Sequence, residues 1–206
     1  MSSAVYLHAM GLSCALGVDA ASVRAALYSP APSALPVSDQ YSPGRELPLG
    51  LAAVEPPSPL AGLPAPWVSR TNALVAQTLP ALRQAVEAAR ERFGPERVAV
   101  VLGTSTAGVR EGEAAARHHR TQGTWPAGYH YGQQEMASPA HFAAYALDLA
   151  GPAYAISTAC SSGAKALASA ARLLCAGMAD AVVCGGADAL CALTVAGFSA
   201  LESVSP

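Results

Sequence analysis

The chain has 206 residues, of which 52% are hydrophobic and 13% charged, and its formal net charge is −2. This length can bury the core of one domain, and the composition is not typical of a disordered protein. Because the charge is near neutral and no basic run is present, the composition favours neither nucleic acid nor an anionic membrane as a partner. Five cysteines without a C-x-x-C pair argue against a disulfide scaffold or a zinc site and are typical of the reducing cytoplasm.

The first elements are short. Alternating apolar residues predict a strand over residues 4–9, with His8 partly buried in it and hydrogen-bonded rather than catalytic. Asp19 is expected to cap a short helix that runs to Tyr28.

Residues 29–66 differ from the rest, because they hold ten of the sixteen prolines. Proline removes backbone donors, so this stretch cannot be a helix and is a poor strand. Only 28 residues precede it, too few for a separate fold. We therefore expect one domain over residues 1–206 with a proline-rich surface excursion at about 29–66.

A helix is predicted from Ser69 or Thr71 to the Gly94-Pro95 pair, and Pro80 should kink or split it. An all-apolar run over residues 98–102 then predicts a strand covered on both faces. It leads into Gly103-Thr104-Ser105-Thr106-Ala107, which is close to the nucleophile elbow of serine hydrolases. That alternative fails, since no histidine follows His141 to complete the order of serine, acid and histidine.

Residues 111–122 form the most polar segment, and it contains the adjacent pair His118 and His119. Adjacent helical residues point about 100° apart, so a solvated face is favoured over a metal site. Residues 121–134 are rich in aromatic residues and glycine and are expected to form a loop or lid. Ser138-Pro139 is expected to start a helix with the serine as cap, and His141 on that helix is expected to pack rather than catalyse.

The stretch around residue 160 is the most informative. A strand is predicted over residues 153–156 and a helix from Gly163 to about Ala176, ended by Gly177 in the left-handed conformation. Cys160 would lie at the mouth of this helix, where unpaired N–H groups and the helix dipole favour a thiolate. A buried structural cysteine is the alternative, and position alone does not decide between the two.

The apolar residues of this helix repeat at helical spacing and predict its buried face: Ala164, Leu167, Ala168, Ala171, Leu174 and Cys175. A second covered strand is predicted over residues 181–184, and the spacing fits a right-handed βαβ crossover. Cys175, Cys184 and Cys191 are expected to be small core residues. Asp188 and several glycines make a membrane helix unfavourable in the apolar run over residues 181–201.

Two motifs carry a resemblance to a known family. They are Ser157-Thr158-Ala159-Cys160-Ser161-Ser162-Gly163, preceded by Gly151-Pro152, and Ala179-Asp180-Ala181-Val182-Val183-Cys184-Gly185-Gly186-Ala187-Asp188. They resemble the active-site region of the β-ketoacyl-acyl carrier protein synthases, the condensing enzymes of fatty-acid and polyketide synthesis. Weaker similarity covers the whole chain, at Gly11-Leu12-Ser13, Ser69-Arg70, Gly103-Thr104-Ser105 and Gly197-Phe198-Ser199-Ala200-Leu201.

This resemblance implies an α/β thiolase-like fold, of which the chain is the N-terminal half: a mixed, mostly parallel sheet with covering helices. It implies a decarboxylative Claisen condensation, with Cys160 as nucleophile and its backbone N–H as oxyanion donor. No cofactor or metal is implied. The implied partners are an acyl carrier protein bearing acyl and malonyl groups and a second ketosynthase-like chain in a homodimer or heterodimer.

Members of this family also use two histidines from a C-terminal repeat, and no histidine of this chain matches their motifs. We therefore expect the C-terminal half to be absent from this chain, which alone would be incomplete for condensation. Two alternatives stay open: a non-catalytic partner subunit like the chain-length factors, and another acyltransferase of the thiolase superfamily. Retention of Cys160 argues against the first.

Overall fold

Strand β3 (Val98–Gly103) is the centre of a three-stranded parallel sheet and lies between β4 (Ala153–Ile156) and β5 (Ala181–Gly186). The computed structural model describes residues 4–31, 35–52 and 60–204. All six residues of β3 are buried, as the all-apolar run predicted. Its side chains alternate between two cores, so the strand is covered on both faces.

Helices cover the two faces of the sheet. The helices are α1 (Ala20–Leu27), α2 (Arg70–Phe93), α3 (Val109–Gln122), α4 (Ser138–Ala146), α5 (Ser162–Cys175) and α6 (Ala192–Ala200). Helices α2 and α4 pack against one face, through a core that includes Val100 and Leu102. Helix α5 packs on the other face, against Ala99 and Val101. None of the helices within the described ranges has the length and apolar character needed to cross a bilayer.

Helix α2 begins after Ser69, whose side chain accepts a hydrogen bond from the Asn72 N–H, as predicted. The helix is continuous for 24 residues with Pro80 inside it, so it is not split. Burial of Val75, Leu79 and Val86 on both sides of the proline explains this continuity, because the packed face offsets the lost backbone hydrogen bond.

The start of α4 differs from the prediction. Ala137 precedes the helix and Ser138 is its first residue, so the serine is not the cap. Instead the buried Ser138 hydroxyl accepts a hydrogen bond from Asn72 Nδ2 at 3.2 Å. The hydroxyl is engaged by α2, which explains why it does not cap its own helix. His141 is exposed, so its predicted packing role is wrong.

Helix α5 confirms the predicted helix but not its predicted buried face. The residues that face the sheet are Ser162, Ala166, Ala170 and Leu173, whereas Leu167 is 43% exposed and Cys175 is exposed. The helix is apolar around most of its circumference, so spacing alone could not select the stripe that meets the sheet. Its end is as predicted: Gly177 has φ +68°, and the Gly177 and Met178 N–H groups close a Schellman motif on Leu174 and Leu173.

The crossover through α5 skips a strand. Strands β4 and β5, which α5 connects, both pair in parallel with β3 and lie on opposite sides of it. The sequence predicted that β5 is a covered strand. Most of its residues are only half-buried, because β5 lies at the edge of the described sheet. Arg97 fixes its start, by donating to Asp180 Oδ2 at 2.7 Å and to the Gly177 carbonyl at 2.9 Å.

The N-terminal strand is not formed. Residues 4–10 are exposed and irregular, and Tyr6 and Leu7 are more than four-fifths exposed. The expectation of a half-buried His8 is therefore also wrong, because the segment pairs with no strand in the described part of the chain. The next prediction is confirmed, since Asp19 caps α1 by accepting from the Ser22 N–H at 2.7 Å.

The described part of the excursion is more ordered than its prolines suggested. Two short antiparallel strands, β1 (Val37–Ser38) and β2 (Leu47–Pro48), form a ribbon. Leu47 and Leu49 are buried in a small cluster with Val195 of α6. The rest of the expected excursion includes residues 32–34 and 53–59, which lie outside the described residues.

A single methyl group at Gly103 should disrupt the fold. A Cβ there would lie 2.5 Å from the Gly163 amide nitrogen and closer still to the Ser162 carbonyl. Because these neighbours are backbone atoms at the start of α5, they cannot rotate away. We expect Gly103→Ala to lower the free energy of unfolding by about 1–3 kcal/mol or more, measured by urea denaturation.

The matched control is Gly185→Ala on the neighbouring strand. Gly185 is paired with Leu102 in the sheet, and a Cβ there would meet nothing within 4 Å. Equal stability of the two variants would contradict the close packing of α5 on β3.

Candidate active site around Cys160

Cys160 lies in a sharp turn between β4 and α5, and its side chain is exposed. The residue before it, Ala159, has φ +51°, in the left-handed region that side chains other than glycine rarely adopt. This conformation reverses the chain within a few residues and presents Cys160 at the carboxyl end of the parallel sheet. Open α/β sheets commonly bind ligands at that end.

A buried serine holds the turn. The Ser162 hydroxyl donates to the Ala159 carbonyl at 2.6 Å and accepts from the Thr158 N–H at 2.9 Å. Ser161 adds a second bond, from its hydroxyl to the Thr158 carbonyl at 2.8 Å. These bonds stabilise the left-handed residue directly before the cysteine.

The turn also contacts the loop that follows β3. Ser105 Oγ donates to the Ala159 carbonyl at 3.2 Å and lies 3.4 Å from Ser162 Oγ. The sequence had indicated family similarity at Gly103-Thr104-Ser105 but not this contact. The available signal was topological, because loops after neighbouring parallel strands emerge at the same edge of the sheet.

The remaining cysteines occupy different environments. Cys191 is fully buried and Cys184 is half-buried, in agreement with their predicted core role. Burial raises the pKa of the Cys184 thiol, which disfavours its reactive thiolate. Cys175 is exposed at the last position of α5, so the prediction of a core residue is wrong there.

The adjacent histidines of the polar segment lie on α3. His118 and His119 are exposed on α3, as the interpretation of a solvated face predicted. The His119 ring stacks on Trp125, with centroids 4.5 Å apart, and Trp125 stacks on Tyr129. Within the described ranges, no three His, Cys, Asp or Glu side chains are grouped so that they could hold a metal ion.

Two carboxylates of α3 support the surrounding helices, and the sequence did not single them out. Glu111 accepts a hydrogen bond from the Arg70 N–H at the start of α2, at 2.8 Å. Glu113 accepts from the Ala192 and Leu193 N–H groups at the start of α6. Burial raises the pKa of Glu111, although the bond to Arg70 acts in the opposite direction. Both carboxylates thus complement helix N-termini next to the loop after β3.

Comparison with known proteins identifies the family. The model of the β-ketoacyl synthase N-terminal domain matches residues 62–206. The chain belongs to the β-ketoacyl synthase family. Over 58 residues it is 43% identical to 3-oxoacyl-[acyl-carrier-protein] synthase 2 of Rhizobium meliloti (strain 1021), a match that covers 28% of this chain and 14% of that protein.

Solved ketosynthase structures share the fold. A chain of the solved complex of the ketosynthase ApeO with its chain length factor ApeC, from Xenorhabdus doucetiae, matches with 35% identity and a TM-score of 0.82. That match covers 94% of this chain and 50% of the matched chain of the complex. A β-ketoacyl synthase from Burkholderia phymatum STM815 matches with 23% identity and a TM-score of 0.72, over 95% of this chain and 50% of that one. This chain therefore spans about half the length of these relatives, and the thiolase-like α/β fold is confirmed.

A branched side chain at residue 159 should damage the turn before Cys160. The left-handed conformation costs an ordinary residue roughly 1–2 kcal/mol, and a β-branched residue adopts it least readily. We expect Ala159→Val to destabilise the protein by about 1–2 kcal/mol, measured by urea denaturation.

The same change in the preceding strand is the control. Ala155 lies in β4 with half-buried, extended geometry that suits valine. If Ala159→Val and Ala155→Val lowered the stability equally, the left-handed conformation of residue 159 would carry no energetic cost.

Proposed function

We propose that the protein is a β-ketoacyl-acyl carrier protein synthase and that Cys160 is its nucleophile. The observation that carries the proposal is the exposed Cys160 at the strained turn before α5, within a chain of the β-ketoacyl synthase family. In the reaction, the acyl group on Cys160 is joined to a malonyl unit with loss of carbon dioxide, to give a β-ketoacyl product.

The first half-reaction uses groups that this chain supplies. Cys160 Sγ attacks the carbonyl carbon of an acyl thioester, the bond to the carrier sulfur breaks, and the carrier thiol leaves with a proton. Negative charge develops on the carbonyl oxygen during the attack. The Cys160 N–H, near the start of α5, is our candidate donor to that oxygen.

The second half-reaction needs groups that promote decarboxylation of the malonyl unit and stabilise the resulting enolate. Among the described residues, no histidine is hydrogen-bonded to the turn at residues 158–162. We propose that the histidines for this step are supplied from outside residues 4–204 of this chain.

A partner chain is the second part of the proposal. The outward stripe of α5, which consists of Ala164, Leu167 and Ala168, is apolar and exposed. Such surfaces are usually covered in the functional protein. ApeO was solved in complex with a chain length factor, and we propose that this protein also works with a ketosynthase-like partner and with an acyl carrier protein.

The competing function is that of a non-catalytic partner subunit, since the solved relatives include ketosynthase and chain length factor pairs. The two functions differ in what they require of Cys160. A condensing enzyme needs a reactive thiol there, whereas a partner subunit does not.

Selective alkylation tests the proposed nucleophile. Cys160 and Cys175 are both exposed, and they lie at opposite ends of the same helix. The helix dipole favours negative charge at the N-terminal end and disfavours it at the other, by about 0.3–1 kcal/mol at each end. We therefore expect iodoacetamide to label Cys160 between about threefold and thirtyfold faster than Cys175, as measured by peptide mass spectrometry.

Two variants serve as controls. Cys160→Ser should abolish the rapid labelling by iodoacetamide, and Cys175→Ser should leave the labelling rate of Cys160 unchanged. Cerulenin should show the same preference. Equal or slower labelling of Cys160 would contradict the nucleophile assignment and favour the partner-subunit function.

A further inference from the structure

One carboxylate oxygen organises the loop that follows β3, beside the turn at residues 158–162. We call this turn the cysteine turn. Asp188 lies two residues after the end of β5, and the intervening Ala187 N–H still bonds to the Gly103 carbonyl. Its Oδ1 accepts four hydrogen bonds: from Thr104 Oγ1 at 3.0 Å, the Ser105 N–H at 2.7 Å, the Thr106 N–H at 2.9 Å and Thr106 Oγ1 at 2.8 Å.

Asp188 itself is exposed, but two of the residues that donate to it are shielded from solvent. Thr104 is fully buried and Thr106 nearly so. Hydrogen bonds from neutral donors to an ionised carboxylate are shorter and stronger than those between neutral groups. Asp188 thus holds the backbone after β3 in one conformation. Thr104 Oγ1 also accepts a hydrogen bond from the Ala107 N–H at 2.9 Å, which restrains the next part of the loop.

The loop passes this restraint to the cysteine turn. The Ser105 N–H is held by Asp188, and the Ser105 hydroxyl donates to the carbonyl of Ala159. Ala159 is the left-handed residue directly before Cys160. The path from Asp188 to the backbone of Cys160 therefore consists of two hydrogen bonds and one peptide unit.

We propose that Asp188 is a positioning residue for Cys160 and acts through Ser105 and the carbonyl of Ala159. The inference rests on the proposed function, because it takes Cys160 to be the acylated nucleophile. Its role is geometric: four donors already occupy Oδ1, so this oxygen is not available to exchange a proton with substrate. The restraint fixes the direction of the Ala159 peptide and, with it, the position of the Cys160 N–H and Sγ.

The proposal distinguishes two reactions of the same thiol. Acyl transfer needs the sulfur and the oxyanion donor in the correct relative position, whereas alkylation by iodoacetamide needs only an accessible thiolate. Loss of positioning should therefore slow acyl transfer much more than alkylation.

The experiment measures the rates of acylation and of alkylation at Cys160 in the full-length protein. Octanoyl-N-acetylcysteamine is the acyl donor, and iodoacetamide is the alkylating reagent. We expect Asp188→Asn and Ser105→Ala to slow acylation by about tenfold or more, with a smaller change in alkylation. Ser105 is exposed, so its alanine variant should fold even if the Asp188 variant does not. Ser105→Thr retains the hydroxyl and should recover most of the acylation rate.

Asp180→Asn is the matched control. Asp180 lies at the other end of β5, where it pairs with Arg97, so its loss should affect stability without changing the ratio of the two rates. If wild-type Cys160 is alkylated selectively but both Asp188→Asn and Ser105→Ala acylate at the wild-type rate, the positioning role is wrong. A parallel fall of both rates with the melting temperature would also overturn it, because that outcome indicates a purely structural residue. Failure of wild-type Cys160 to react with either reagent would instead contradict the proposed function.

Discussion

The site depends on one close contact, that of the first turn of α5 with the ends of the sheet. Gly103 at the end of β3 leaves no room for a side chain against the backbone of Ser162 and Gly163, and a Cβ at Gly186 of β5 would lie 3.3 Å from the Gly163 Cα. Because no side chains separate these backbones, the helix begins directly at the carboxyl edge of the strands. The turn that carries Cys160 must therefore fit into a few residues, which explains the left-handed conformation of Ala159.

The same contact brings three loops together. The loops after β3, β4 and β5 supply Ser105, the cysteine turn and Asp188 respectively, and hydrogen bonds link all three. The left-handed Ala159 is thus stabilised by two hydrogen bonds to its carbonyl. One comes from Ser162 at the start of α5, and the other comes from Ser105 in the neighbouring loop. The proposed role of Cys160 as nucleophile fits this arrangement, because acyl transfer needs an accessible thiol and an oxyanion donor that stays in place.

Much of this arrangement follows from the sequence. The all-apolar run before Gly103 predicted the central strand, Gly177 predicted the end of α5, and the residues around Cys160 indicated the family. The prediction of the buried face of α5 was wrong, because a helix that is apolar around most of its circumference gives little signal for which stripe meets the sheet. The N-terminal strand was wrong because alternation predicts only a tendency, and a strand needs a partner with which to pair. The proposed positioning role of Asp188 was not predicted, since its bonds to residues 104–106 join positions more than eighty residues apart.

The central claim is that Cys160 carries the acyl group. Its most direct test is to incubate the protein with an acyl-loaded carrier protein, digest it and locate any bound acyl group by peptide mass spectrometry. We expect a hydroxylamine-sensitive acyl thioester on the peptide that contains Cys160, and none in the Cys160→Ala variant. An acyl group on another cysteine, or no acyl group while the carrier stays loaded, would contradict the account.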